Sequence, residues 1–218
     1  MNSDAKNRAQ FDRWAESYDR TVPGSAQFPL AGYDEVLGRV LEHARVTAGM
    51  SILDMGTGTG NLAALFSAAS CSVWATDLSS AMLMRAREKH PCIHFAVADL
   101  EQGPPEGFPL VYDRIVSAYA FHHLPLPTKV RCIRDLALHH LSPNGSLVLA
   151  DVAFPTASAR ASAHARLHEI WDASEFYWAA DEAEVALRGV PARVLYRQVS
   201  FCGGVFVIEP IGLSDDSG

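Results

Sequence analysis

At 218 residues, 49% of them hydrophobic, the chain is long enough to bury a full core and fits one domain with modest elaborations. Its 18 Lys and Arg face 25 Asp and Glu, a formal charge of -7 with no basic run, which disfavours DNA or RNA as a partner. No run of about 18 apolar residues occurs and Met1 to Lys6 are polar, so neither a membrane span nor a signal peptide is expected and the cytoplasm is the default location.

Phe11, Trp14, Ala15 and Tyr18 recur at helical spacing and predict an N-terminal helix that ends near Pro23-Gly24. Val36, Leu37, Val40 and Leu41 form a second helical stripe, closed by Gly49. Strand and helix then alternate. Strands are expected at 51–54, 72–76, 93–97, 111–117 and 146–151 and helices at about 61–69, 80–89 and 128–141, with only the Pro- and Gly-rich loop 101–110 between the third and fourth strands. This alternation argues for an α/β fold, a parallel sheet with helices on both faces. Pro143-Asn144-Gly145 reads as a turn feeding the fifth strand. Helical character returns from Ala161 to Trp171, ahead of Phe176-Tyr177-Trp178. A helix near 181–189 and an antiparallel hairpin of strands near 192–200 and 203–209 complete the pattern. The expected layout is a single domain over 1–212, with N-terminal lid helices at about 4–47, a cap segment at about 154–180 and a disordered tail over 213–218. Cys71, Cys92, Cys132 and Cys202 lie far apart with no Cys-x-x-Cys pair, and are expected as small core residues.

The most informative stretch is Ile52-Leu53-Asp54-Met55-Gly56-Thr57-Gly58-Thr59-Gly60. A strand stub runs into an acid, then into alternate glycines, then into a helix from Asn61. Glycines at alternate positions let the backbone approach a ligand and take conformations a side chain forbids, and the helix start presents unpaired N–H groups. A dinucleotide fingerprint would need its third glycine at 61 or 63, where Asn and Ala stand. The tighter loop, with Asp54 at its entrance, suits instead a nucleoside-like ligand that carries an ammonium group and no phosphate.

Open parallel sheets bind ligands beyond the carboxyl ends of their strands, and acids recur there. Asp77 ends the second strand, placed to accept from two ribose hydroxyls, with Leu78 and Met82 able to flank an adenine. Asp99-Leu100 ends the third, placed for an adenine amino group. The fourth runs through Ser117 into Ala118-Tyr119-Ala120-Phe121-His122-His123-Leu124, near the expected reacting centre. Each acid alone is more often a helix cap or turn residue than a ligand contact; three in succession shift the balance to a ligand.

Asp-x-Gly-x-Gly-x-Gly resembles the first motif of class I S-adenosylmethionine (AdoMet) methyltransferases. With Phe11-Asp12-Arg13-Trp14-Ala15-Glu16-Ser17-Tyr18-Asp19, Ser117 to Leu124 and Ala150-Asp151-Val152-Ala153-Phe154, residues 8 to 209 resemble small-molecule methyltransferases of the YrrT type. The resemblance implies a Rossmann-like, doubly wound, mostly parallel seven-stranded sheet with its last strand antiparallel, and AdoMet as cofactor with S-adenosylhomocysteine as product. It also implies that the N-terminal helix, with Trp14 and Tyr18, closes over AdoMet as a lid and that Tyr18 contacts the methionyl part. The expected cofactor residues are Trp14, Tyr18, Asp54, Gly56, Thr57, Gly58, Gly60, Asp77, Leu78, Met82, Asp99, Leu100 and Ser117.

Methyl transfer from a sulfonium chiefly needs nucleophile, methyl and sulfur held in line. A base helps only for a hydroxyl or protonated amine, and His122, His123 and Tyr18 are the candidate catalytic residues. No metal is expected, since Asp151 is the single further acid in view and has no adjacent oxygen ligand. The expected acceptor is a small molecule, with no nucleic acid or membrane as partner. A non-catalytic AdoMet-binding regulator or scaffold, or a protein or RNA methyltransferase, are the alternatives. Trp171, Phe176, Tyr177 and Trp178 either line the acceptor pocket or pack the cap.

Overall fold

The computed structural model describes Asp12, residues 15–22 and residues 24–211. Trp14, Phe11 and the segment 213–218 lie outside the described residues. After the short helix α1 (Tyr18–Thr21) comes α2 (Tyr33–Ala44), which buries Tyr33, Val36, Leu37, Val40 and Ala44, the one-sided stripe of an amphipathic helix. Then follow β1 (Ser51–Met55), α3 (Asn61–Ala68), β2 (Ser72–Asp77), α4 (Ser80–Lys89), β3 (His94–Val97), β4 (Tyr112–Ala118), α5 (Leu126–His139) and β5 (Leu141–Phe154). The chain closes with α6 (Ala157–Arg166), β6 (Trp178–Ala179), α7 (Ala180–Ala186), β7 (Ala192–Gln198) and β8 (Gly203–Pro210).

The sheet runs β3-β2-β1-β4-β5-β8-β7, with the two-residue β6 added beside the end of β5. β8 is antiparallel to both its neighbours and the other pairs are parallel. The mostly parallel seven-stranded sheet with an antiparallel last strand is therefore present, β6 being an unforeseen eighth. From Gly145 to Phe154 every residue of β5 is buried, as expected of a strand covered on both faces. One core joins α2 and α3 to the sheet around Val36, Val40, Phe66, Val116 and Val148. The other joins α5 and α7 to it around Leu53, Ile115, Ile133, Leu136 and Ile208.

Three local expectations are adjusted. Pro143-Asn144-Gly145 sits inside the extended run of β5 as a bulge, since Tyr112 pairs with Leu141 while Arg114 pairs with Ser146. The cap helix begins at Ala157, because the Thr156 side chain accepts from Ala159 N and caps it, and it ends before Trp171. Cys132 and Cys202 are buried, but Cys71 is half-buried and Cys92 is exposed.

Candidate active site

The order of strands reverses between β1 and β4, and a cleft of about 770 Å³ opens beyond the carboxyl ends of β1 to β4. Its floor is the glycine loop. Gly56, Gly58 and Gly60 all have positive φ, 71°, 57° and 85°. A Cβ on Gly56 would stand 2.4 Å from the Cβ of Ala120, so the loops after β1 and β4 touch there. A Cβ on Gly58 would meet no atom of the described residues within 4 Å; Gly58 lines the cleft, and a side chain would occupy ligand space.

Asp77 lines the cleft and accepts from Gly58 N and Ser79 N, both at 2.8 Å, one on each carboxylate oxygen. Each oxygen keeps a lone pair for a further donor. Burial raises the Asp77 carboxyl above its ordinary value. Leu78, Met82, Asp99 and Leu100 also line the cleft. Asp99 caps the short turn Leu100–Gln102 by accepting from Glu101 N at 2.9 Å.

Four expected residues stand behind this surface. Asp54 is fully buried; Thr57 Oγ1 donates to its Oδ2 at 2.6 Å, while its Oδ1 has no hydrogen-bond partner among the described residues. Desolvation pushes the Asp54 carboxyl up to about 7. Thr57 therefore holds Asp54, and Ser117 donates to Met55 O at 2.6 Å, tying β4 to the end of β1. Gly60 begins α3 against Ala86 and His90. Neither Asp54, Thr57, Gly60 nor Ser117 is on the cleft wall.

The lid closes one side. Tyr18 lines the cleft, its hydroxyl hydrogen-bonded to that of Tyr33, and burial raises its pKa well above the ordinary value. It stays a neutral hydroxyl near neutral pH. Asp19 fastens this helix: Thr59 Oγ1 donates to its Oδ1 at 2.6 Å and Lys89 Nζ to its Oδ2 at 2.7 Å. Burial opposes its charge, but the bonds from Lys89 and Thr59 hold its carboxyl below the usual range. Ser79 Oγ donates to Asp12 at 2.5 Å.

Across the cleft the turn Phe121–His123 presents both histidines. His122 Nδ1 lies 2.5 Å from Asp151 Oδ1 on β5, and Asp151 also accepts from Val152 N at 2.8 Å and Trp178 Nε1 at 3.1 Å. Burial raises Asp151, but His122 and Lys129 outweigh this and hold it below the usual carboxylate range. An ionised carboxylate only accepts, so Nδ1 carries the proton of that bond and Nε2 is left toward Glu175, 3.8 Å from its Oε2. Burial disfavours charge on His122, yet Asp151 and Glu175 shift its pKa upward. His123 Nδ1 is 2.9 Å from the same Glu175 oxygen.

The cap carries Glu175 into place. Phe176 N donates to His122 O at 2.7 Å, and Lys129 Nζ donates to Phe176 O. Lys129 is buried on α5, 3.9 Å from the centroid of the Trp178 ring, and burial lowers it to about 8. Trp171 and Trp178 pack the cap: Trp171 stacks on Phe28 at 5.4 Å, and Trp178 meets Phe206 at 4.9 Å. Phe176 and Tyr177 do line the cleft. Glu175 and Lys129 were not read from the sequence, and Asp151 was weighed only as a metal ligand, not as the partner of His122. Tyr119 was missed likewise. It takes φ 56° at the end of β4, stacks on Tyr33 and lines the cleft, and only its neighbourhood to the histidines hinted at it.

A glycine floor open to a ligand, a fully buried acid with an unpartnered oxygen, and Asp77 on the cleft wall fit AdoMet. This fold and site define a class I AdoMet-dependent methyltransferase. A family model described as a methyltransferase domain matches residues 52–145. A Bacillus pumilus protein named as an uncharacterized methyltransferase is 38% identical over 152 residues, 68% of each chain. The chain belongs to this methyltransferase family. Among solved structures, magnesium protoporphyrin IX methyltransferase from Synechocystis, with bound S-adenosylhomocysteine, superposes with a TM-score of 0.69 at 16% identity over 95% of this chain and 99% of that one. The DhpI-SAM-HEP complex gives 0.70 at 17% identity, over 96% of this chain and 100% of the other.

Proposed function

We propose that the protein transfers the AdoMet methyl group to a small-molecule acceptor seated between the His122–His123 turn and the cap. The observation that carries the reading is Asp77, fixed by Gly58 N and Ser79 N on the cleft wall at the end of β2 with lone pairs to spare. The paired ribose hydroxyls are its natural donors. Asp99 and Leu100 receive the adenine, with Leu78 and Met82 as apolar flanks. The ammonium group lies toward the glycine loop, where the charge of Asp54 is felt through Gly56 and Gly58. When bound, AdoMet supplies an electrophilic methyl on a sulfonium.

The chain's own part is alignment. Tyr18, kept neutral by burial, donates its one hydroxyl proton to Tyr33 and takes none from the acceptor. Tyr119 and the Gly56–Ala120 contact fix the acceptor-side loop against the cofactor-side loop, which limits misplacement of the two reactants. His122 Nε2 is the group that takes a proton from a hydroxyl or ammonium acceptor, with Asp151 holding the ring's tautomer and His123 beside it. A small-molecule acceptor is favoured because the acceptor end is walled by Phe176, Tyr177, Ile170 and Leu124.

Calorimetric titration with S-adenosylhomocysteine, with NADH as control, tests the cofactor half. Binding of the former alone is expected, and Asp77→Ala should weaken it about tenfold or more, the loss of charge-assisted hydrogen bonds of about 1.5–3 kcal/mol. Unchanged affinity in the variant would remove Asp77 from the site, and NADH binding would overturn the reading.

A further inference from the structure

The geometry points to a divalent-cation site formed by His122 Nε2, His123 Nδ1 and Glu175 Oε2 at the acceptor end of the cleft. It deepens the proposed function and rests on that reading only for its purpose, since the site stands on its own geometry. The three residues each bring one ligand atom within 4.8 Å of the other two. Around a zinc-like ion with bonds of about 2.0–2.2 Å, neighbouring ligands stand roughly 3.0–3.5 Å apart. The Glu175 oxygen is 2.9 Å from one imidazole nitrogen and 3.8 Å from the other, bracketing that spacing.

Two further features distinguish this group from a chance meeting of side chains. Glu175 Oε2 is buried and makes no aligned hydrogen bond, although two imidazole nitrogens converge on it. A carboxylate oxygen so placed is costly unless a cation completes it. Secondly, His122 already has the outer support of a metal-ligating histidine: Asp151 accepts the hydrogen bond from Nδ1–H, which leaves Nε2 as the lone-pair donor and fixes the ring. Asp151 is itself held by Val152 N and Trp178 Nε1. Glu175 is held by its neighbour, since Phe176 is bonded through N to His122 O and through O to Lys129 Nζ.

Two imidazoles in a set of three favour a transition-metal ion such as Zn²⁺ or Co²⁺ over Mg²⁺ or Ca²⁺. Three protein ligands leave a position open, and all three residues line the cleft. The ligand for that position is an oxygen of the methyl acceptor, so the acceptor class is narrowed to molecules carrying a hydroxyl or carboxylate. In the loaded protein His122 is a ligand, and it serves as proton acceptor only when the ion is absent.

The test is titration of the chelator-stripped full chain with Co²⁺, read by the visible bands of the bound ion and by calorimetry, beside titration with S-adenosylhomocysteine. One equivalent of Co²⁺ is expected to bind. Glu175→Gln should weaken it more than about tenfold and Asp151→Asn about tenfold through loss of the outer support. Equal Co²⁺ affinity in Glu175→Gln and the parent, or no Co²⁺ binding, overturns the site. If Glu175→Gln fails to fold by circular dichroism, His123→Phe is read by the same criterion. Co²⁺ binding lost in the variant without any S-adenosylhomocysteine binding would uphold the ion site and sink the methyltransferase reading. S-adenosylhomocysteine binding with no dependence of Co²⁺ on Glu175 would do the reverse.

Discussion

At the scale of single residues, Asp54 carries a cost in stability that its own surroundings only half offset. Its carboxyl is fully buried, half satisfied by Thr57, and pushed from 3.8 to about 7. A raised carboxyl pKa means that the folded state prefers the protonated form. Any stability tied to that form is complete below the unfolded value and is lost as pH rises through the folded one. By about pH 8 the cost is about 4 kcal/mol, some three pKa units at roughly 1.4 kcal/mol each. Asp54→Asn keeps an oxygen for Thr57 and removes the charge. The variant is expected to melt higher than the parent at about pH 8, with the gain shrinking towards about pH 5. It is also expected to bind S-adenosylhomocysteine more weakly. A melting temperature lowered at every pH would show that the ionised carboxylate supports the loop by itself. Asp54 and Asp77 were both legible because strand, acid and glycine follow one another in the sequence. Their division of labour was not: which acid faces the cleft depends on how β1 and β2 twist past each other, and no spacing carries that.

Among elements, the lid is latched rather than merely laid over the cleft. Asp19 on α1 gathers Thr59 from the glycine loop, Asn61 from the start of α3 and Lys89 from the end of α4. The lid is therefore tied directly to the glycine loop. Asp19→Ala is expected to speed S-adenosylhomocysteine dissociation roughly fivefold, about 1 kcal/mol for the lost bonds, with little change in association. Stopped-flow measurement decides it, and an unchanged dissociation rate would make the latch a surface contact only. The strands and main helices were readable from their apolar patterning, because a sheet buried on both faces needs continuous apolar runs and its helices need one-sided stripes. The two-residue β6 and the turn Phe121–His123 were not readable. Both are fixed by contacts between distant segments, Trp178 beside Ala153 and Phe176 on His122. For the same reason Glu175 could not be assigned to the histidines before the cap was seen folded back on them.

For the whole molecule, the cleft is walled by the lid, by the ends of β1 to β4 and by the cap, so one ligand bridges parts that lie far apart in the chain. Such a ligand binds the folded state alone. At a free concentration of about one hundred times its Kd it should add about 2.7 kcal/mol, or roughly 5–10 °C in Tm for a domain of this size. Scanning calorimetry with S-adenosylhomocysteine checks this, and an unmoved Tm at saturation would contradict binding across the cleft. Where the cap is attached has a further consequence. The chain leaves the sheet at Phe154 and returns at Trp178 and Ala179, which pair in register with Ala153 and Phe154. The two ends of the intervening segment are thus about 5 Å apart, one strand spacing. A segment whose ends meet can be lengthened, shortened or exchanged at small entropic cost. Residues 155–177 are in effect a removable cassette on a fixed chassis, open to change while the glycine floor, Asp77 and the latch stay untouched.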